Sequence, residues 1–179
     1  MTKQLDGMDH HVEMLRGRTD VSFCPNCETA LDRYAAGFKK KVKPKYDVTC
    51  LSQGLTAVSP RFRQFLEENS PSDVVYHPLP SGCFIIEPVR KVYLDLAKLG
   101  PHIEGYCSRC GRPRSCVASA LSDSERIQLI PGQDPISEFD IVCSVQEFGQ
   151  PGSMHPLELV GDKLGGKILE ADFSGACVR

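Results

Sequence analysis

Residues 104–115, EGYCSRCGRPRS, contain Cys107 and Cys110 with two residues between them and a glycine directly after. A CxxC turn of this kind lets two sulfurs converge on one ion, and the glycine tolerates the positive φ that the turn often needs. Two sulfurs make only half of a tetrahedral metal site. The other half lies in residues 22–28, SFCPNCE. We therefore predict one structural Zn²⁺ site that joins two distant parts of the chain, with the ligands Cys24, Cys27, Cys107 and Cys110.

The other cysteines and the histidines are weaker candidates for ligands. Cys116 follows Cys110 by six residues and His102 precedes Cys107 by five, so either could replace a cysteine ligand. The alternative to a metal site is that one or both pairs are plain buried or surface cysteines. Four further cysteines lie in apolar, strand-like contexts and are expected to be small buried side chains: Cys50, Cys83, Cys143 and Cys177.

Charge and composition narrow the class of protein. The net charge is -2, from 21 basic and 23 acidic residues, whereas broad nucleic-acid binding requires a strongly basic surface. No apolar run is long enough to span a bilayer, and residues 1–18 are polar and lack the apolar core of a signal peptide. We therefore expect a cytoplasmic protein, in which cysteines serve as metal ligands or buried thiols more often than as disulfides.

The clearest secondary-structure signal is in residues 58–69, VSPRFRQFLEEN. Ser59 suits an N-cap and Pro60 suits the first helical position, where its missing N–H is not needed. The spacing of Phe62, Phe65 and Leu66 gives the helix one apolar face, so we predict a helix over 60–69 with these residues buried. Short apolar segments on either side predict strands. The expected fold class is α+β, with several short strands and few helices.

Two segments share a pattern that indicates an internal repeat. Residues 58–76, VSPRFRQFLEENSPSDVVY, and 160–178, VGDKLGGKILEADFSGACV, each follow a CxxC pair and combine a helical apolar pair, an acidic end and a final strand. The pattern predicts a second helix over 161–171. It also predicts one domain, 1–179, made of two related halves, 21–100 and 101–179. Chance similarity is the alternative, and two glycines in the second segment weaken its helix.

Catalytic motifs are not convincing. The sequence has no GxSxG, HExxH or glycine-rich dinucleotide fingerprint. GDKLGGKI, residues 161–168, comes close to a phosphate-binding loop, but Ile168 stands where a hydroxyl should meet magnesium. A zinc deaminase requires a proline before its cysteine pair, and neither pair has one. Because a closed four-thiolate site leaves no open coordination position, we expect the protein not to be an enzyme.

The two cysteine pairs, VSPRFRQFLEEN and the C-terminal FDIVCSVQEFG…LELVGDKLGGKILEADF together resemble the double-CXXCG motif family, which has many paralogues in myxobacteria and includes Sit-type immunity proteins. The resemblance runs from about Phe23 to the C-terminus. Glu28 departs from the family pattern, which has glycine there. The resemblance implies a zinc-stabilised cytoplasmic protein that binds and neutralises a cognate toxin delivered by a sibling cell.

Two functions from different classes follow as hypotheses. The first is toxin neutralisation by direct binding, with acidic side chains facing a basic toxin cleft. The second is a zinc-ribbon nucleic-acid-binding or regulatory protein, for which residues 39–45, KKKVKPK, form a basic loop. The candidate contact residues for a toxin are Glu67, Glu68 and Asp73 near the end of the first helix, and Asp134, Glu138 and Asp140 in a proline-marked loop.

Overall fold

A computed structural model describes residues 2–15, 21–34, 37–39, 44–52, 54–118, 127–150 and 153–179. These residues form three helices and twelve strands, which confirms the α+β class. In chain order the elements are β1 (Thr2–Asp6), β2 (Met8–Glu13), β3 (Val48–Ser52), β4 (Leu55–Val58), α1 (Pro60–Asn69), β5 (Val74–Pro78), β6 (Phe84–Pro88), β7 (Lys91–Val92), α2 (Leu96–Leu99), β8 (His102–Tyr106), β9 (Pro113–Val117), β10 (Ile141–Phe148), β11 (His155–Gly161), α3 (Asp162–Glu170) and β12 (Cys177–Val178). None of the helices in these ranges is long and apolar enough to cross a membrane.

The helix predicted at residues 60–69 is α1. Ser59 Oγ accepts a hydrogen bond from Phe62 N at 3.1 Å, which satisfies one of the free N–H groups at the helix start. Phe62 and Leu66 are fully buried. Phe65 is half-buried, and its ring centroid lies 5.0 Å from that of Phe173. The cap and the apolar face that the sequence contains are therefore sufficient to define this helix.

Two five-stranded sheets have the same strand order and the same strand directions. The first sheet runs β7-β10-β11-β1-β12 and the second runs β2-β3-β4-β6-β5. In each sheet the first two strands are parallel, and the other neighbours are antiparallel. The third strand of each sheet leads into a helix, α3 or α1, which leads to the fifth strand. The chain therefore contains two copies of one topology.

The copies exchange their first strands. β1 lies in the first sheet between β11 and β12, and β6 lies in the equivalent place in the second sheet, between β4 and β5. Ser59 and Gly161 are the N-caps of α1 and α3, which aligns residues 58–76 with 160–178 as the sequence pattern predicts. The repeat, however, covers residues 2–78 and 84–178 instead of 21–100 and 101–179. It starts earlier because each half begins with the strand that it contributes to the sheet of the other.

Equivalent residues of the two halves meet in one hydrophobic core. Both sheets and both helices contribute to this core, so neither half closes its core without the other. Its matched pairs of buried residues are Leu5 and Ile86, Val48 and Ile141, Val58 and Val160, Phe62 and Leu164, and Leu66 and Ile168. Burial of one such side chain stabilises the fold by about 1.5–3 kcal/mol.

The helix predicted at 161–171 is α3, and a glycine inside it has a packing role. A Cβ added to Gly165 would lie 3.0 Å from Val178 Cγ1 and 3.2 Å from Lys3 Cδ. The strands β12 and β1 therefore approach the helix closely at this position. This contact explains why a residue that weakens isolated helices occurs here.

Two outer clusters of apolar side chains support the segments that contain the cysteine pairs. The cluster on the second sheet includes Ala30, which follows the first pair, together with Leu55 and Ile85 of the strands. The cluster on the first sheet includes Cys116, which follows the second pair, together with Leu157 and other strand residues. Each cysteine pair is therefore attached to the outer face of a different sheet.

Candidate metal centre

The four predicted ligands lie together. The sulfur atoms of Cys24 and Cys107 are 3.6 Å apart, and those of Cys27 and Cys110 are also 3.6 Å apart. All four sulfurs lie within 4.8 Å of one another, and none of these cysteines forms a disulfide. Zn–S bonds of about 2.3 Å in a tetrahedron require sulfurs about 3.8 Å apart. The cluster can therefore hold a metal ion with a modest adjustment of the side chains.

Each pair lies in a turn that we call a knuckle: the first comprises residues 24–27 and the second 107–110. The two turns have the same backbone bonds. Glu28 N donates to Cys24 O at 2.8 Å, and Gly111 N donates to Cys107 O at 2.9 Å. Both residues have positive φ, 56° for Glu28 and 72° for Gly111. Glu28 therefore adopts the conformation that glycine adopts in the second knuckle, although its side chain disfavours it.

Backbone N–H groups favour thiolates at the two buried sulfurs. The N–H groups of Cys110 and Arg109 lower the pKa of Cys107 to about 6. The N–H of Asn26 is the main cause of the lowered pKa of Cys24. The N–H of Arg112 also favours the Cys110 thiolate, but burial and the neighbouring sulfurs outweigh it and raise the pKa of Cys110 to about 11. Without a cation, the four sulfurs therefore cannot all be ionised together at neutral pH.

A partly buried ionic network connects both knuckles to β10. Arg112, just after the second knuckle, donates to the carbonyl of Ala30 at 2.9 Å and to Glu147 Oε1 at 3.2 Å. Arg33, after the first knuckle, donates to the same Glu147 oxygen at 2.7 Å and to the carbonyl of Met154. Because buried charges are stable only when paired, this network fixes the relative position of the two knuckles. The sequence does not predict this network, because nothing in the pattern around Glu147 distinguishes it from a surface residue.

The alternative ligands are not part of the cluster. The sulfur cluster found among the described residues consists of Cys24, Cys27, Cys107 and Cys110. Cys116 is buried in the outer cluster of the first sheet, and burial raises its pKa. The His102 side chain is 77% exposed and lies 3.7 Å from Glu104.

The remaining cysteines differ in burial. Cys143 is buried as expected, and Cys50 and Cys83 are partly buried. The expectation for Cys177 is wrong, since this residue is exposed. It lies on β12, a two-residue strand at the edge of the first sheet, so its alternating apolar context does not lead to burial.

The acidic residues predicted to contact a partner have different environments. Glu67 and Glu68 are exposed on α1, where each accepts a hydrogen bond at 2.8 Å from a residue one turn earlier, Arg63 and Gln64. Asp73 is exposed just before β5, and Asp134 is also exposed. Glu138 is exposed and pairs with Lys163 at 2.6 Å.

The carboxylate of Asp140 forms an ion pair and hydrogen bonds within the protein. It pairs with Arg90 at 3.0 Å and accepts hydrogen bonds from Ser137 N and Ser72 Oγ. Burial opposes ionisation, but these donors outweigh it and lower the pKa of Asp140. With its side chain only 13% exposed, Asp140 holds the 134–140 loop against the end of α1. It is therefore a poor contact residue, while the contact brings the two predicted acidic stretches next to each other.

No protein-family model matches the sequence, and no curated protein matches it either.

The basic loop predicted at residues 39–45 falls largely outside the described residues, since 40–43 are not among them.

Proposed function

We propose that this is a non-catalytic binding protein whose two halves are held together by one structural zinc ion. The observation that supports this most directly is the cluster of four cysteine sulfurs, two from each half of an internal repeat. Four thiolates around a tetrahedral ion leave no position for water or substrate. Such a site stabilises the fold and leaves the surface to perform the function.

Zinc is the metal that this ligand set fits best. Thiolates are soft ligands, and a tetrahedral S₄ set is typical of zinc or iron. The absence of a disulfide among the four cysteines keeps all four sulfurs available. Metal analysis of the purified protein should give one zinc per chain. Two zinc ions per chain, or iron as the main metal, would contradict the assignment.

For the binding function, we propose direct 1:1 neutralisation of a toxin in the cytoplasm. This rests on the resemblance to the double-CXXCG motif family. It is compatible with an exposed acidic surface formed by Glu67, Glu68, Asp73, Asp134 and Glu138, which we call the acidic surface. Toxins that cleave nucleic acids have basic clefts, so acidic residues on an inhibitor accelerate association. Glu138 and Glu67 already have cationic partners, Lys163 and Arg63, which a toxin would have to replace.

Two experiments test the toxin hypothesis. The tagged protein is isolated from its native cells, and the co-purifying protein is identified and expressed. Cells that express this partner alone should stop growing, and co-expression of the protein should restore growth. A partner that is harmless, or a toxic partner that the protein does not counteract, would contradict the proposal.

A zinc-ribbon nucleic-acid-binding function is the second candidate. The observation that favours it is the β8–β9 hairpin, whose exposed residues near the second knuckle include Tyr106, Arg109 and Arg114. An aromatic ring with nearby cations is a combination that binds single strands. The net charge of -2 is against it. Salt-dependent binding of an oligonucleotide that is lost in Arg109→Ala and Arg114→Ala together would favour this candidate over the toxin hypothesis.

A further inference from the structure

A cleft of about 310 Å³ lies between the two knuckle-bearing segments and the first sheet. One wall consists of residues 30–34, which follow the first knuckle, and of Arg112, which follows the second. The other wall is formed by neighbouring strands, where Lys91 of β7 pairs in register with Cys143 of β10, and Val145 follows. The volume lies at the lower end of the range for small-molecule sites, about 300–1,000 Å³.

The other half of the internal repeat has a cavity at the equivalent position, and this cavity is almost completely filled. Asp6 and Cys50 line it at the positions that Glu87 and Cys143 occupy in the large cleft. Its volume is only about 10 Å³, which is too small for more than about one water molecule. Gly54 packs directly against His155, so that an added Cβ would overlap the His155 side chain. The topology of the repeat alone therefore does not explain why the large cleft is open.

Two polar groups that line the large cleft have no hydrogen-bond or ion-pair partner among the described residues. Lys91 is exposed, and its ammonium forms no ion pair with any residue in the described ranges. Tyr34 stacks on His77 with ring centroids 5.2 Å apart, and within the same ranges its hydroxyl makes no hydrogen bond. Burial raises the pKa of Tyr34, so the hydroxyl keeps its proton and can donate it in a hydrogen bond.

The cationic and acidic side chains that line the cleft balance in formal charge, with three of each. Arg33 and Arg112 both pair with Glu147, and Lys91 is the cation of the lining that forms no ion pair with a described residue. The acidic residue Glu87 also lines the cleft, but it is bonded to His77 Nε2 at 2.8 Å. A second acid, Asp32, is exposed and accepts a hydrogen bond from the backbone N of Tyr34.

The thiol in the cleft is not a nucleophile. Burial raises the pKa of Cys143 to about 11, which outweighs the effect of Lys91. The thiol is therefore neutral at pH 7, and its Sγ contacts the carbonyl of Pro88 at 3.5 Å. This chemistry indicates binding and not covalent reaction.

We propose that this cleft binds a small organic oxyanion, either a carboxylate or a phosphate, through the Lys91 ammonium and the Tyr34 hydroxyl. Val145 and Pro156 provide an apolar floor. This site is separate from the acidic surface and does not depend on toxin binding. The metal centre contributes only by fixing the position of residues 30–34 and Arg112.

Calorimetric titration of the full-length metal-loaded protein at low salt tests the proposal, with inorganic phosphate in one series and succinate in another. We expect saturable 1:1 binding of at least one anion, and the better anion identifies the class of ligand. Because a hydrogen bond to a charged group is lost, Lys91→Ala should weaken binding about tenfold or more. Tyr34→Phe should weaken it less, and Lys98→Ala on α2, which does not line the cleft, should have no effect.

A second variant keeps the charges and fills the space. Val145→Trp should abolish binding, since Val145 lines the cleft and is 39% exposed, so that a larger side chain can enter the cavity. It provides the test if Lys91→Ala does not fold. The proposal is overturned if neither anion binds in a saturable manner, or if Lys91→Ala and Val145→Trp bind as tightly as the unmodified protein.

Discussion

Cys107→Ser should destabilise the protein strongly, because it removes one ligand of the proposed zinc ion that links the two halves. Cys107 is buried, and its thiolate is favoured by backbone N–H groups. A serine hydroxyl is a poor ligand for zinc compared with a thiolate. We expect the variant to lose its zinc or to bind it much more weakly.

The size of the effect follows from the loop that the ion closes. The ion joins residues 24–27 to 107–110, so it closes a loop of about 80 residues, and a crosslink of that span stabilises by about 4.5 kcal/mol through chain entropy. The large core shared by the halves sustains much of the fold without the ion. For a chain of this size, 1 kcal/mol corresponds to about 2–4 °C in Tm. The expected loss in Tm is therefore about 9–18 °C.

Differential scanning calorimetry and zinc analysis of the same samples measure this effect. Cys177→Ser is the matched control, since Cys177 is exposed and outside the cluster, and it should retain one zinc and the original Tm. Cys116→Ser should also keep its zinc. An equal Tm for Cys107→Ser and Cys177→Ser would refute the structural role of the ion, and loss of zinc in Cys116→Ser would change the ligand set.

Three further predictions concern other parts of the molecule. Glu28→Gly should raise the unfolding free energy by about 1 kcal/mol, because φ of Glu28 is 56°; a lower value in urea unfolding would contradict this. Glu158 is packed against Thr56, and burial raises its pKa to about 7. Since an unfolded glutamate has a pKa of about 4.3, the contribution of Glu158 to stability is full below that pH and falls by about 3–4 kcal/mol as the pH rises to 8; Glu158→Gln should remove this part of the pH dependence, and equal pH profiles would refute it. Asp134→Lys with Glu138→Lys should slow toxin association several-fold at low salt; unchanged kinetics would remove this loop from the interface.

The local features of the fold could be predicted from the sequence because they depend on neighbouring residues. The cap at Ser59, the proline at residue 60 and the spacing of Phe62 and Leu66 define α1 without reference to the rest of the chain. The turns at the two cysteine pairs are also local features, since the spacing within each pair determines the turn. Their meeting in space was inferred from chemistry alone, because two sulfurs cannot complete a tetrahedral site.

The strand exchange could not be predicted, because it depends on pairing between distant segments. Residues 2–6 carry little pattern of their own, and they become a strand through pairing with residues 158–161 and 177–178. The internal contacts of Asp140 could not be predicted from the sequence for a similar reason. Its partners Arg90 and Ser72 lie far away in sequence, so a loop aspartate looked like a free surface charge.

The candidate metal centre and the strand exchange both make each half of the repeat depend on the other for its stability. In the exchange, each half gives one strand to the sheet of the other, and in the centre each half gives two sulfurs. The positions of the two knuckles within the repeat are equivalent, so a duplicated half would supply both sets of ligands from one sequence pattern. Neither half alone completes a sheet, the shared core or a tetrahedral site. Binding of a metal ion by these four sulfurs would therefore be coupled to the association of the halves, and removal of the ion should weaken the contact between the two knuckles.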